Sequence, residues 1–266
     1  MTDPLLGTLR QARAAARLSQ LALSLRLGVS QRHVSFVESG RAKPSRELLI
    51  NWLQELSAPL VLRNAAMLQA GYAPAYGAAQ LGDPELAQAS AAMRALLQSH
   101  DPMPAFVVDA EWNVRDANRG AQWLMTTLAP GLSATAAGGG GFNMLDALSH
   151  PQGLAERIVN LRDVGPAMLA HLREEAALLP ALAPRVDAFA AALQARLGAH
   201  ATPRSTMRPL PPLLTTRFAT PLGELAFFSM LTTFGTPQDI TLASLRIEHL
   251  FAADEATRAV IRAQLG

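Results

Sequence analysis

Residues 19–45 read SQLALSLRLGVSQRHVSFVESGRAKPS, and this stretch decides the first half of the fold. Ser19 is placed to cap a helix running to Leu27, Gly28 breaks it, Ser30 caps a second helix to about Glu38, and Gly40 ends that one. Two short helices therefore flank a tight turn. Leu23, Leu27, Val29, Val34 and Val37 supply the apolar contacts that fix the pair at a steep angle, and Gly28 supplies the backbone freedom the turn needs. The outward positions are polar.

Working outward, Leu5, Leu9, Ala12 and Ala16 recur at helical spacing with Arg10, Arg13 and Arg17 between them, which predicts an amphipathic first helix. Downstream, Pro44 and Ser45 open a helix through Leu56. Pro59 interrupts it, and residues 60–69 form a fifth helix closed by Gly71. The expectation is an all-α domain over residues 1–72. Charge follows the same division. Residues 1–70 hold nine Arg or Lys against four Asp or Glu, net +5, while residues 71–266 hold fourteen against seventeen, net −3. A basic amino-terminal module beside a mildly acidic remainder is hidden in the overall +2.

The 19–45 run resembles the lambda-repressor-like helix-turn-helix of the XRE family of transcriptional regulators. That resemblance implies a double-stranded DNA operator as partner, with the second helix in the major groove and its first residues against base edges. Ser30, Gln31, Arg32 and Ser35 fall on that helix or at its start. Gln31 and Arg32 carry the bidentate patterns that suit adenine and guanine. Gln20 begins the preceding helix, and Arg41, Lys43 and Arg46 follow the recognition helix; by the resemblance these contact phosphate and set affinity more than specificity. Phe36 either touches a thymine methyl or packs. Ser24 replaces the alanine usual where the two helices approach closely. Read without the resemblance, the same residues make a small helical bundle with an ordinary basic face.

Residues 72–83 are rich in Gly, Ala and Pro and lack periodicity, as expected where one domain gives way to another. We expect a linker and connecting helix over residues 73–100, with a helix near 84–99, and a second domain over 101–266. Residues 105–108 and 112–115 read as short strands turned at 109–111, followed by a helix over about 118–128. Ala-rich helical stretches occupy roughly 151–179 and 185–197, and strand-like runs come near 213–219, 224–233 and 244–251. The pattern predicts α+β architecture with an antiparallel sheet.

Several segments of this region, PAFVVDAEWNVRDANRGA (104–121), HPQGLAERIVN (150–160), FFSMLTTFGTPQDITL (227–242) and FAADEAT (251–257), together with LVLRNAAMLQAGYAPAY (60–76), resemble MmyB-like regulators. That resemblance implies a PAS-like ligand-binding domain with an apolar pocket for a fatty acid or similar small molecule. The family pattern falls on Asn118, His150, Arg157 and Asn160 as candidate head-group ligands, an arginine being suited to a carboxylate. Their alternative reading is structural: Asn118 as a helix cap, His150 shaping a helix start, and Arg157 in an internal ion pair. The chain departs from the family pattern at Leu161 and in the run of glycines at 138–141.

Half of the 266 residues are hydrophobic and 17% are charged, which excludes a disordered chain. The chain has no cysteine, so disulfides and thiolate metal sites are ruled out, and the six histidines are scattered without HExxH. Neither a metal nor a cofactor is expected. The glycine run has Asn143 where a dinucleotide fingerprint needs its third glycine, and no Gly-Lys-Ser/Thr follows. Ser133 lacks the flanking glycines of a nucleophile elbow. An enzyme is therefore not expected. The charge-free stretch 120–145 contains Pro130 and six glycines, too polar for a membrane span, and residues 1–7 lack the features of a secretory leader. We expect a cytoplasmic, homodimeric regulator with no membrane partner. The alternative keeps the DNA-binding domain but makes the second domain only a dimerisation or protein-interaction module.

Overall fold

The computed structural model describes residues 4–131, 142–198 and 213–266. Ser133 and the glycine run at 138–141 lie outside the described residues. Contacts divide the chain into two units. One falls within residues 1–79 together with 177–179 and 236–243; the other comprises 80–176, 180–235 and 244–266.

The first unit holds five helices: α1 (Pro4–Ala15), α2 (Gln20–Leu27), α3 (Gln31–Glu38), α4 (Arg46–Glu55) and α5 (Leu60–Gln69). Three of them begin with a serine whose hydroxyl accepts an otherwise orphaned backbone N–H. Ser19 Oγ takes Ala22 N at 3.0 Å, Ser30 Oγ takes His33 N at 3.1 Å, and Ser45 Oγ takes Leu48 N at 3.1 Å. Gly28 has φ 66°, the left-handed conformation that stops α2 and lets α3 leave at an angle. The interior is formed by Leu5, Leu9, Leu23, Val34, Val37, Leu49, Trp52, Leu53 and Met67, with Leu27 and Val29 packed at its edge. Ser24 is buried, and its hydroxyl donates to Leu21 O at 2.8 Å, so the polar substitution between the two helices is satisfied within its own turn.

The second unit is built on a five-stranded antiparallel sheet in the order β2-β1-β5-β4-β3, with β1 (Ala105–Val108), β2 (Val114–Ala117), β3 (Thr216–Thr220), β4 (Gly223–Thr233) and β5 (Arg246–Ala252). Its helices include α6 (Ala87–His100), α7 (Arg119–Leu128), α8 (Met144–Ser149), α9 (Leu154–Arg157), α10 (Leu161–Leu178) and α11 (Ala183–Leu197). The short α12 (Ile240–Ser244), nearly all of it counted with the first unit, precedes β5 in sequence, and α13 (Glu255–Leu265) ends the chain described. This is the α+β, PAS-like arrangement that the sequence points to.

Three differences from the sequence expectation have physical causes. The second strand begins at Val114 rather than near residue 112, because the Asp109 carboxylate takes the backbone N–H groups of Glu111 and Asn113 and lengthens the turn. The single helical stretch expected over 151–179 is split. Ile158 forms a bridge to Phe218, and Asn160 pairs with the backbone at the start of β3, giving its amide to Thr215 O just before the strand at 2.9 Å and accepting Arg217 N at 3.0 Å. This short extended segment covers the free edge of β3 and can be helical only on either side of it. Finally, α8 and α13 have no counterpart in the sequence expectation. Asn143 caps the first, accepting from Leu145 N and Asp146 N, and Asp254 caps the second.

Candidate functional site

In the first unit, α3 carries Gln31 and Arg32 on its first turn, both exposed, and Ser35, half-buried, one turn on. Ser30 is committed through its hydroxyl to the helix cap. The aromatic ring of Phe36 lies under two guanidinium groups, Arg32 at 5.0 Å and Arg41 at 5.7 Å from its centroid. Such stacking lowers the freedom of both arginines while leaving their N–H edges available. Lys43 is placed similarly over the ring of Tyr72 at 5.2 Å, and the Tyr72 hydroxyl donates to Pro44 O at 2.9 Å. Arg46, the first residue of α4, is exposed. The structure therefore gathers Arg32 and Arg41 on a common aromatic platform.

Gln20 has a different engagement. Its amide donates to Glu38 Oε2 at 2.8 Å, and the same carboxylate is held by Arg13, at 2.7 Å from Nε and 2.9 Å from Nη2. Arg13 also donates to Leu18 O at 2.8 Å. This network ties α1, α2 and the end of α3 together. Burial alone would raise the Glu38 carboxyl, but the hydrogen bonds from Arg13 and Gln20 and the Arg13 charge outweigh it and hold its pKa below the usual glutamate range. Sequence reading passed over this pair. The available signal was the position of Glu38, four residues after buried Val34, on the inward face of α3.

In the second unit, one face of the sheet and the helices above it line a cavity of about 360 Å³. The pleat sends Phe227, Ser229 and Leu231 of β4, Glu248 and Leu250 of β5, and Phe106 of β1 to this face. Apolar side chains from α7, α8 and α10, such as Leu124, Leu145 and Met168, close the opposite walls. Trp112 forms part of the lining with φ 65°, a left-handed conformation held by the Asp109 turn. Its indole donates to Glu175 Oε2 at 2.9 Å, and the Arg246 guanidinium stacks on it at 4.1 Å while pairing with Glu175 at 2.6 Å. Burial would raise the Asp109 carboxyl, yet hydrogen bonds from Asn113 and the adjacent Arg115 hold it below the usual aspartate range. The charged turn thereby fixes one wall of an apolar site.

None of the four head-group candidates is among the residues that line the cavity. Asn118 is buried as the cap of α7: its oxygen accepts Ala105 N and Ala121 N, both at 2.9 Å, and its amide donates to Leu97 O and Met103 O. His150 is exposed at the end of α8 and accepts Gln152 N through Nδ1 at 3.1 Å. Arg157 is exposed at the end of α9, and Asn160 is bound to β3. The polar groups that do line the cavity are Glu248, Ser229, Thr216, His171 and the Trp112 indole. Glu248 was legible only as part of a strand. Its face becomes visible once the period-two partners Leu250 and Ala252 are seen to point inward.

Among the described residues, no group of three or more His, Cys, Asp or Glu is placed to hold a metal ion, and no helix is long and apolar enough to cross a membrane. Comparison with family models places residues 9–61 in a helix-turn-helix family and residues 89–263 in the family described as the MmyB-like transcription regulator ligand binding domain. A search of curated proteins gave no match. These are families of transcription regulators, not of enzymes. With the capped α2–α3 pair at its amino-terminal end and the second family model covering well over half of its length, the chain belongs to the MmyB-like transcription regulators, with a DNA-binding helix-turn-helix and a ligand-binding domain.

Proposed function

We propose that the chain is a one-component regulator in which a small apolar ligand, held in the cavity of the second domain, changes the affinity of the first for its operator. The observation that carries this reading is the 360 Å³ cavity, walled almost entirely by aliphatic and aromatic side chains, inside the region matched to the ligand-binding family. A fatty acid is the type of ligand the family resemblance implies. Gln31, Arg32 and Ser35 read base edges from α3, with Ser30 at its start. Arg41, Lys43 and Arg46 hold phosphate, and Gln20 reaches phosphate only by sharing its amide with Glu38. Asn118 and Asn160 serve the ligand indirectly by fixing α7 and the edge of β3, and Arg157 and His150 act from the exposed surface. The protein works in the cytoplasm as a homodimer whose recognition helices lie ~34 Å apart on a near-palindromic site.

The test begins with selection of a bound duplex from random sequence, which defines the operator and its symmetry. The purified protein is then extracted with organic solvent and the extract analysed by mass spectrometry, and operator affinity is measured with and without apolar probes of eight to sixteen carbons. A stoichiometric extracted lipid, or a probe that shifts operator affinity, is the expected result. Repeated absence of a lipid, with operator affinity indifferent to every probe, overturns the sensor and leaves the second domain as an interaction module.

A further inference from the structure

Glu248 is the one carboxylate among the residues lining the cavity, and neither arginine nor lysine lines it among the described residues. Its Cα pairs with Phe106 on β1 and Leu231 on β4, both cavity-lining, so the residue stands in the sheet face that forms the floor. Ser229, which faces Leu250 in the next pair along the same face, also lines the cavity. The charged groups that face it are few. Arg246, two residues along the same face of β5, is held bidentately by Glu175 of α10, at 2.6 and 3.2 Å, and stacked on Trp112. His171 of α10 also directs its Nε2 at Glu175, at 3.3 Å. On this face β1 contributes Phe106 and Val108, and β4 contributes Phe227, Ser229, Leu231 and Thr233. The nearby positive charge is thus already matched, and Glu248 as an anion lacks a dedicated counter-ion.

We infer that Glu248 and Ser229 form the head-group subsite of the cavity, and that the ligand taken there is an apolar chain ending in an uncharged hydrogen-bonding group, such as an alcohol, rather than a free carboxylate. This rests on the reading of the cavity as the ligand site. The chemistry follows from what each partner offers. A carboxyl set among aliphatic walls is driven by desolvation toward its neutral form; the Ser229 hydroxyl and the Arg246 charge act against that, but desolvation dominates and its pKa is raised. As a neutral acid it presents one O–H donor and one carbonyl acceptor, which match a hydroxyl on both counts. A ligand carboxylate brings a second negative charge into a space whose cations are engaged, and a buried charge without a partner is costly. A fatty acid enters such a site only as its neutral acid, so its binding weakens as pH rises.

The experiment uses the full chain and three probes of equal length: dodecanol, dodecanoate and dodecylamine. Their affinities are measured by calorimetry at neutral pH for the unaltered protein, Glu248→Gln and Glu248→Leu. Dodecanol is expected to bind about tenfold or more tightly than dodecanoate. Glu248→Gln, which keeps a neutral donor and acceptor, retains dodecanol, and Glu248→Leu removes the preference for alcohol over acid. Raising pH weakens dodecanol binding to the unaltered protein but not to Glu248→Gln. Dodecanoate binding as tightly as dodecanol to the unaltered protein overturns the inference, as does dodecylamine binding more tightly than either. Failure of all three probes to bind instead removes the underlying reading of the cavity as a ligand site.

Discussion

Glu38 carries a negative charge at the carboxy-terminal end of α3, where the helix dipole opposes it, and it is retained there by Arg13 and Gln20. Replacing it with glutamine leaves Arg13 without its partner. We expect Glu38→Gln to destabilise the first domain by about 2 kcal/mol, less than the ~3–5 kcal/mol of a fully enclosed pair because Arg13 keeps one side in solvent. Because the folded-state pKa of Glu38 is lowered, its contribution is present above the ordinary glutamate range and is lost as pH falls through the folded value. Urea denaturation at neutral and acid pH should therefore show the two proteins converging in acid; a constant difference would refute the assignment. Phe36 makes a second case. Phe36→Leu keeps an apolar side chain but removes the ring beneath Arg32 and Arg41, and should weaken a selected operator by about 0.5–1 kcal/mol. Arg32→Ala should cost about 1–3 kcal/mol and relax sequence preference, whereas Lys43→Ala should weaken all duplexes alike. Competition between operator and scrambled duplexes separates these effects. The helix-turn-helix was legible because its motif is local and continuous. Phe36's role was not, since its two arginines are four before and five after it, and stacking is a property of rotamers.

At the scale of elements, two glycines that look alike in sequence do different work. Gly28 adopts φ 66°, and a Cβ added there meets nothing within 4 Å, so Gly28→Ala costs only backbone strain, about 1–2 kcal/mol. Gly120 lies in the first turn of α7, where an added Cβ would sit 2.2 Å from Pro102 O and 2.9 Å from Met103 C. Those are backbone atoms, so α7 must move, and with it Leu124, Met125 and Leu128 of the cavity wall. Gly120→Ala should lower the stability of the second domain by more than about 3 kcal/mol, and thermal melts of the two variants should rank accordingly. The same contrast explains what sequence could deliver about the fold. The first helix is announced by its apolar spacing, and the next four by serine, proline or glycine at their ends, all within a few residues. In the second domain, α13 buries only Thr257 and Ile261, too short a stripe to show as periodicity. The break between α9 and α10 depends on β3, more than fifty residues away in sequence, and no local pattern encodes it.

At the scale of the whole molecule, the proposed regulator has to convert an occupied cavity into a change at the operator, and a ligand can do so only if it binds two states of the protein unequally. Filling the cavity from within tests that requirement without any ligand. Ala167 lies on α10 and lines the cavity, facing a void of about 360 Å³. Ala167→Phe places a ring among aliphatic walls and should leave the second domain as stable as before or more so, by about 1–2 kcal/mol from the apolar surface removed from water. Ala167→Leu, with a smaller side chain, guards against overpacking as a cause of any loss. Both variants should bind the selected operator, and the phenylalanine variant should no longer change its operator affinity when dodecanol is added. Its fixed affinity should match that of the unaltered protein saturated with probe if occupancy itself is the signal, and that of the probe-free protein if the head group at Glu248 must also be engaged. A phenylalanine variant that still responds to dodecanol as the unaltered protein does would place the responding site outside this cavity.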